Sequence, residues 1–140
     1  MNVVKLYIEQ NTFKKNNSNN ITGIIYFGIN DYFFPEKGWY DFPIIVLNWW
    51  LEGLKEIKYN RTKRIELNFM DGPASIIVKS IDNSICSFEC IWDNAVEFIA
   101  ELDKEIIYNE VIRSARSIEN ICRSNTWNDD EVVKMRKLLY

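Results

Sequence analysis

The chain has 140 residues, three cysteines and no histidine. That absence removes Ser-His-Asp triads, Cys-His dyads, HExxH zinc sites and imidazole proton shuttles at once. Chemistry would have to come from thiols or carboxylates. Cys86, Cys90 and Cys122 include no C-x-x-C pair, so neither a redox nor a zinc motif is written there. Alternation along a strand places Cys86, Phe88, Cys90 and Trp92 on one face, which reads as core. Asp31, Glu36 and Asp41 lie among aromatic rings, as in a carboxylate site for a sugar or a divalent ion. Their spacing matches no Ca²⁺ loop, and Asp41 already has a use as a helix cap. No catalytic group, metal site or cofactor is therefore expected.

Charge is more informative. The net charge is −3, which argues against nucleic acid and acidic membranes as whole-surface partners. Asp93 to Glu110 holds six acids and one base, whereas Val111 to Trp127 holds three arginines and one acid. Read as a helix, Glu97, Glu101 and Glu105 recur every fourth residue and line one edge, with Tyr108 continuing it. Such a ridge suits a basic partner. Lys55, Lys58, Arg61, Lys63 and Arg64 form a basic run, but no glycine-rich cradle or aromatic array accompanies it, and a solvated connector is the better reading.

The elements that would position these residues are legible in outline. Val3 to Gln10 and Ile21 to Ile29 read as a hairpin around an Asn-rich loop. Asp41-Phe42-Pro43 opens a helix from Phe42 to Lys58. Ile65 to Met70, Ala74 to Ile81 and Ile85 to Trp92 read as a meander, punctuated by Asp71-Gly72-Pro73 and Asp82-Asn83. From Asn94 the pattern reads as helix, with Asn94 and Glu97 as a capping box; Asn128 and Glu131 repeat that spacing before a last helix of Asp129 to Leu139. The expectation is one α+β domain over residues 1–140, with a single antiparallel sheet of about five strands in the order ββαβββαα. The apolar face of the long helix changes side after Ile106. Either it breaks near Tyr108-Asn109, or its second half packs on another element, for which the last helix and a partner subunit (a homodimer) are candidates. The N-terminus lacks an apolar signal segment and no run is long enough to span a membrane, so a cytoplasmic protein is expected.

The densest stretch is Phe34-Pro35-x-x-Gly38-Trp39-x-Asp41-Phe42, followed by Leu47-x-Trp49-Trp50-Leu51. Phe34 and Trp39 can close the loop as an apolar lid, Gly38 allows a positive φ, and of the adjacent Trp49 and Trp50 only one can face the core. Over Ile24 to Leu54 this pattern resembles small bacterial proteins, some of which are grouped with immunity proteins of contact-dependent and other polymorphic toxin systems. The resemblance implies a cytoplasmic protein that binds and neutralises a cognate toxin, such as a nuclease, without catalysing anything. The motif residues would then be structural, and Glu97, Glu101, Glu105 and Tyr108 are the expected toxin contacts. The competing readings are a small-ligand module with an aromatic pocket around Phe34, Trp39 and Trp50, and a structural interaction protein.

Overall fold

Two strands of alternating apolar residues begin the chain. β1 (Val4–Lys15) and β2 (Ile21–Ile29) pair antiparallel, with Val4 opposite Ile29, Leu6 opposite Phe27 and Ile8 opposite Ile25. The two-residue period sends these six side chains to one face, which is the inner one. The computed structural model describes residues 2–140. β1 runs five residues beyond the expected end at Gln10, through an irregularity between Glu9 and Lys14. Phe13 is buried by that extension, so the Asn-rich turn shrinks to residues 16–20.

The aromatic stretch adds two short strands that the sequence reading treated as loop. β3 (Tyr32–Phe34) and β4 (Tyr40–Asp41) both pair antiparallel with β2, Phe34 opposite Phe27 and Asp41 opposite Gly23. They are one edge strand interrupted by residues 35–39. On the outer face of this first sheet, Tyr7 stacks on Tyr26 at 5.2 Å and Phe33 meets both rings edge-on. Gly28 lies beneath them, where a Cβ would come within 2.7 Å of the Tyr7 ring.

α1 (Pro43–Lys58) follows, and then a second four-stranded sheet, the meander β5 (Arg64–Asn68), β6 (Ala74–Ser80), β7 (Ile85–Trp92) and β8 (Ala95–Asp103). The α+β class is as expected. The single sheet of five strands becomes two sheets of four, in the order ββββαββββαα. The added strand at the end of the meander is β8, where a helix was expected. Asp93 and Asn94 do not open a helix; both have positive φ (52° and 67°) and form the two-residue turn of the β7–β8 hairpin. Phe98, Ala100 and Leu102 point inward opposite Cys90, Phe88 and Cys86. Glu97 is the unpaired residue of a bulge between the Cys90–Phe98 and Ile91–Val96 pairs.

The long helix is α2 (Lys104–Ser124), capped by Asp103, whose carboxylate accepts from the N–H groups of Glu105 and Ile106. Ile107, Val111, Ala115, Ile118 and Cys122 make one continuous buried stripe. The change of face is thus the junction of strand and helix at Asp103–Lys104, with no break near Asn109. It no longer calls for a partner subunit. α3 (Asp130–Leu139) buries Val132, Met135 and Leu139. Its expected capping pair is not formed: Asn128 Oδ1 accepts from Arg136, and Glu131 accepts from the buried Asn48 amide at 2.8 Å.

One helix covers parts of both sheets. Trp50 of α1 is fully buried, 5.2 Å from Phe27 and 5.0 Å from Phe69, and its indole N–H donates to the Asn68 carbonyl at 2.8 Å. Phe27 meets Phe88 edge-on at 5.4 Å, joining the two inner faces directly. Trp49, one position earlier, is 44% exposed. α2 closes the open edge of β1. Glu110 accepts from the Leu6 N–H at 2.7 Å, and Ser114 and Arg113 donate to the Leu6 carbonyl at 3.0 and 3.3 Å. Helix side chains here take the place of a missing neighbour strand, which blocks strand addition at that point.

Burial alone would raise the Glu110 carboxyl. The bonds from Arg113 and Leu6 outweigh it and hold the pKa below the ordinary value of 4.5. A depressed folded-state pKa adds stability above the unfolded value and loses it as pH falls through the folded one. Glu110→Gln should cost about 1–2 kcal/mol at neutral pH. In urea titrations from about pH 5 to about pH 3, the wild type should lose more stability than the variant, so that the two curves converge.

Candidate interaction surface

The motif residues build a support. Phe34 is buried against Phe69 at 6.1 Å, and Trp39 meets Phe69 and Trp92 edge-on at 6.4 and 5.9 Å. The Phe34–Pro35 peptide is cis, and Gly38 has φ +80°, as its place before Trp39 suggested. Phe34 and Trp50 are fully buried, and none of Phe34, Trp39 or Trp50 lines the cavity beside Lys15 and Asp129 or the groove between α2 and α3. The rings expected to line an aromatic ligand pocket are packed on Phe27, Phe69 and Trp92 instead.

Asp41 has a different job from the one its position suggested. The N-cap of α1 is Phe42, which makes no side-chain capping bond. Asp41 is buried, and Oδ1 accepts from the N–H groups of Phe42 and Met70 at 2.7 and 3.1 Å. Oδ2 accepts from the Asp71 N–H and the Trp39 indole at 3.2 and 3.0 Å. One carboxylate thus ties the motif loop of the first sheet to the β5–β6 turn of the second. Asp31 and Glu36 stay exposed. No group of three or more Cys, Asp or Glu is placed to hold a metal ion among the described residues.

The thiols are equally occupied with packing. All three cysteines are free and buried. Burial pushes Cys86 and Cys122 up to about 11 and Cys90 up to about 12. A thiol that stays protonated is a poor nucleophile.

The expected acidic row on one helix does not exist, because its residues lie on two kinds of element. Glu97 and Glu101 are on β8, Glu105 is in the first turn of α2, and all three are exposed. Glu97 accepts from the Tyr32 hydroxyl at 2.9 Å, and the Tyr32 ring lies flat on Phe98 at 4.2 Å. Burial, then the bond to Glu97, holds that hydroxyl well above the usual tyrosine range. Tyr108 does not join the acids: it is half-buried, with the Lys58 ammonium 4.5 Å over its ring.

What the strand creates instead is a mixed surface. On the outer face of the second sheet, pairing aligns Glu66, Ile77, Glu89 and Ile99 in one row, and Arg64, Lys79, Ser87 and Glu101 in the next. Ile99 is 57% exposed and Val96, near the turn, is 51% exposed. Asp93, Glu97, Glu101, Asp103 and Glu105 make no ion pair among the described residues. Val96 and Ile99 escaped the sequence reading. The signal for Ile99 was the two-residue alternation of Phe98, Ala100 and Leu102 against Glu97, Ile99 and Glu101; Val96 is turned outward by the bulge at Glu97, which alternation does not show.

Two outcomes follow. Asp41→Ala should cost about 3 kcal/mol or more in urea unfolding, because it strands several buried donors, and Asp41→Asn should cost less because one acceptor remains. A colorimetric thiol reagent at about pH 8 should label none of the cysteines in the folded protein and all of them in denaturant.

No protein-family model matches the chain, and neither the curated proteins nor the solved structures contain a significant match.

Proposed function

We propose that the chain is a binding protein of the immunity type. It holds a cognate bacterial toxin domain, such as a nuclease, and neutralises it by covering the toxin's active site. The observation that carries the reading is the β8 surface, where unpaired carboxylates sit beside exposed Val96 and Ile99 on an uncovered sheet face. Nuclease sites are basic because they hold phosphates. An acidic edge with an apolar centre complements such a site, with the charges raising the on-rate and the apolar residues supplying contact area.

The motif over Ile24 to Leu54 supports the same class. Several groups that could catalyse are committed elsewhere: Asp41 to a loop tie, the thiols to the core and Glu110 to a strand edge. Glu97, Glu101 and Glu105 remain the proposed contacts, joined by Ile99. Tyr108 is assigned to packing under Lys58. A cytoplasmic location belongs to this reading, since inhibition must take place where the toxin acts. No helix among the described residues is long and apolar enough to cross a membrane.

The test is co-expression with the C-terminal domain of a secreted protein encoded beside this chain. Rescue of growth and co-purification are expected, and the failure of both overturns the reading. Combining Glu97→Lys, Glu101→Lys and Glu105→Lys should weaken the complex by roughly tenfold or more at low salt, with less effect at high salt. Unchanged affinity, in a variant that melts like the wild type, would move the contact surface away from β8.

A further inference from the structure

The second charged region of the sequence, the arginines after Val111, has no part in the β8 surface. Two of its three arginines stand on one wall of an open groove of about 540 Å³ between α2 and α3, while the third, Arg123, pairs with Glu119. The floor is apolar: Ile112 and Leu138 are half-buried, and Leu139 is buried. Arg113 and Arg116 stand on the α2 wall with Asn109 and Asn120, and no acidic side chain lines the groove. The two arginines differ in freedom. Arg113 gives its Nε and one terminal nitrogen to Glu110, at 2.9 and 2.6 Å, and that same terminal nitrogen also donates to the Leu6 carbonyl, which fixes the guanidinium and leaves only the other terminal nitrogen available. Arg116 is exposed and makes no hydrogen bond or ion pair among the described residues. Three residues apart on a helix, the two stand roughly 5–6 Å from each other at Cβ.

We infer that this groove is a second docking site, for a partner protein segment that carries carboxylates beside apolar side chains. Charge complementarity selects the occupant. A guanidinium held in place by a carboxylate behind it can present its one free terminal nitrogen to a second carboxylate in front, as a charge-assisted hydrogen bond. The unpaired Arg116 supplies attraction that nothing within the described chain neutralises. The apolar floor favours a peptide over nucleic acid, because a phosphate backbone would cover Ile112 and Leu138 without burying them against anything apolar. The site lies on α2 and α3, apart from β8, so it stands independently of the immunity reading.

The probe is a displayed library of short random peptides, selected on the folded full chain, with the recovered peptides labelled and titrated by fluorescence anisotropy. The recovered sequences should place Asp or Glu next to Leu, Ile or Phe. Their affinity should fall about tenfold or more on Arg116→Glu, a side chain with no hydrogen bond or ion pair among the described residues, and should be unchanged in the Glu97→Lys, Glu101→Lys, Glu105→Lys variant. Ile112→Ser is a second variant that reads the floor, accepted only if its melting temperature matches the wild type. Recovery of no binder, of basic peptides, or of peptides insensitive to Arg116→Glu would overturn the proposal. So would a labelled single-stranded oligonucleotide that binds and is lost on Arg116→Glu. Toxin rescue by Arg116→Glu should be intact, which separates failure here from failure of the β8 surface.

Discussion

Trp50 is the side chain on which both sheets depend. Each sheet has one apolar face, and a sheet with an open apolar face is not a stable unit. The ring of Trp50 touches Phe27 of the first sheet and Phe69 beside the second, and its N–H is satisfied by the Asn68 carbonyl. Aromatic pairs of this kind contribute about 0.5–1.5 kcal/mol beyond the area they bury. More important is the geometry. Fixing the Trp50 indole between a β2 ring and the end of β5 sets where α1 crosses, and so how far apart the inner faces stand. Phe27 and Phe88 then meet directly. The loop tie made by Asp41 acts at the rim of the same junction, holding Met70 and Asp71 to the motif loop.

The strand ends require a second kind of solution. Buried cations and carboxylates are costly unless their partners are complete. Glu110 answers this by accepting from Leu6 while Arg113 neutralises it. Lys104 answers it without a carboxylate. It is almost fully buried, and its ammonium donates to Asn60 Oδ1, Ser80 Oγ and the Asp82 carbonyl, one neutral oxygen for each proton. The connector before β5, the β6–β7 turn and the start of α2 are thereby held at one point.

Much of the architecture was legible because it is written in local chemistry. The boundaries of β2 and β7 are as the alternation sets them, and Pro43, Gly38 and the Asp71-Gly72-Pro73 turn punctuate as their backbone preferences require. The error fell where one local pattern satisfies two structures. Asp93-Asn94 can cap a helix or turn a hairpin, since Asn and Asp tolerate positive φ as well as capping. Ala95, Phe98, Ile99 and Leu102 fit a helical face, while Phe98, Ala100 and Leu102 fit a strand face. The choice is made by β7, whose inward Cys86, Phe88 and Cys90 need neighbours on the same side. That is non-local information. Asp41 was misassigned for the same reason: two of its four donors lie some thirty residues further along the chain.

Correcting β8 also changes what the charge pattern means. On one helix, acids followed by arginines would form a single dipolar rod whose ends attract each other's partners. Across a strand-to-helix corner the two charges separate onto different surfaces. Asp93, Glu97 and Glu101 fall on the turn and last strand of the second sheet, and Arg113 and Arg116 on the wall of a groove between helices. Between them lies Lys104, the one base among the acids, which is withdrawn into the interior and bonded to neutral oxygens. Its charge is therefore held back from the acidic surface that surrounds it in sequence. A base left exposed there would have screened Glu101 and Glu105 at short range. Burying it leaves Asp93, Glu97 and Glu101 at the exposed edge of β8 without an ion pair among the described residues, and a local excess of negative charge is what would steer the proposed basic partner.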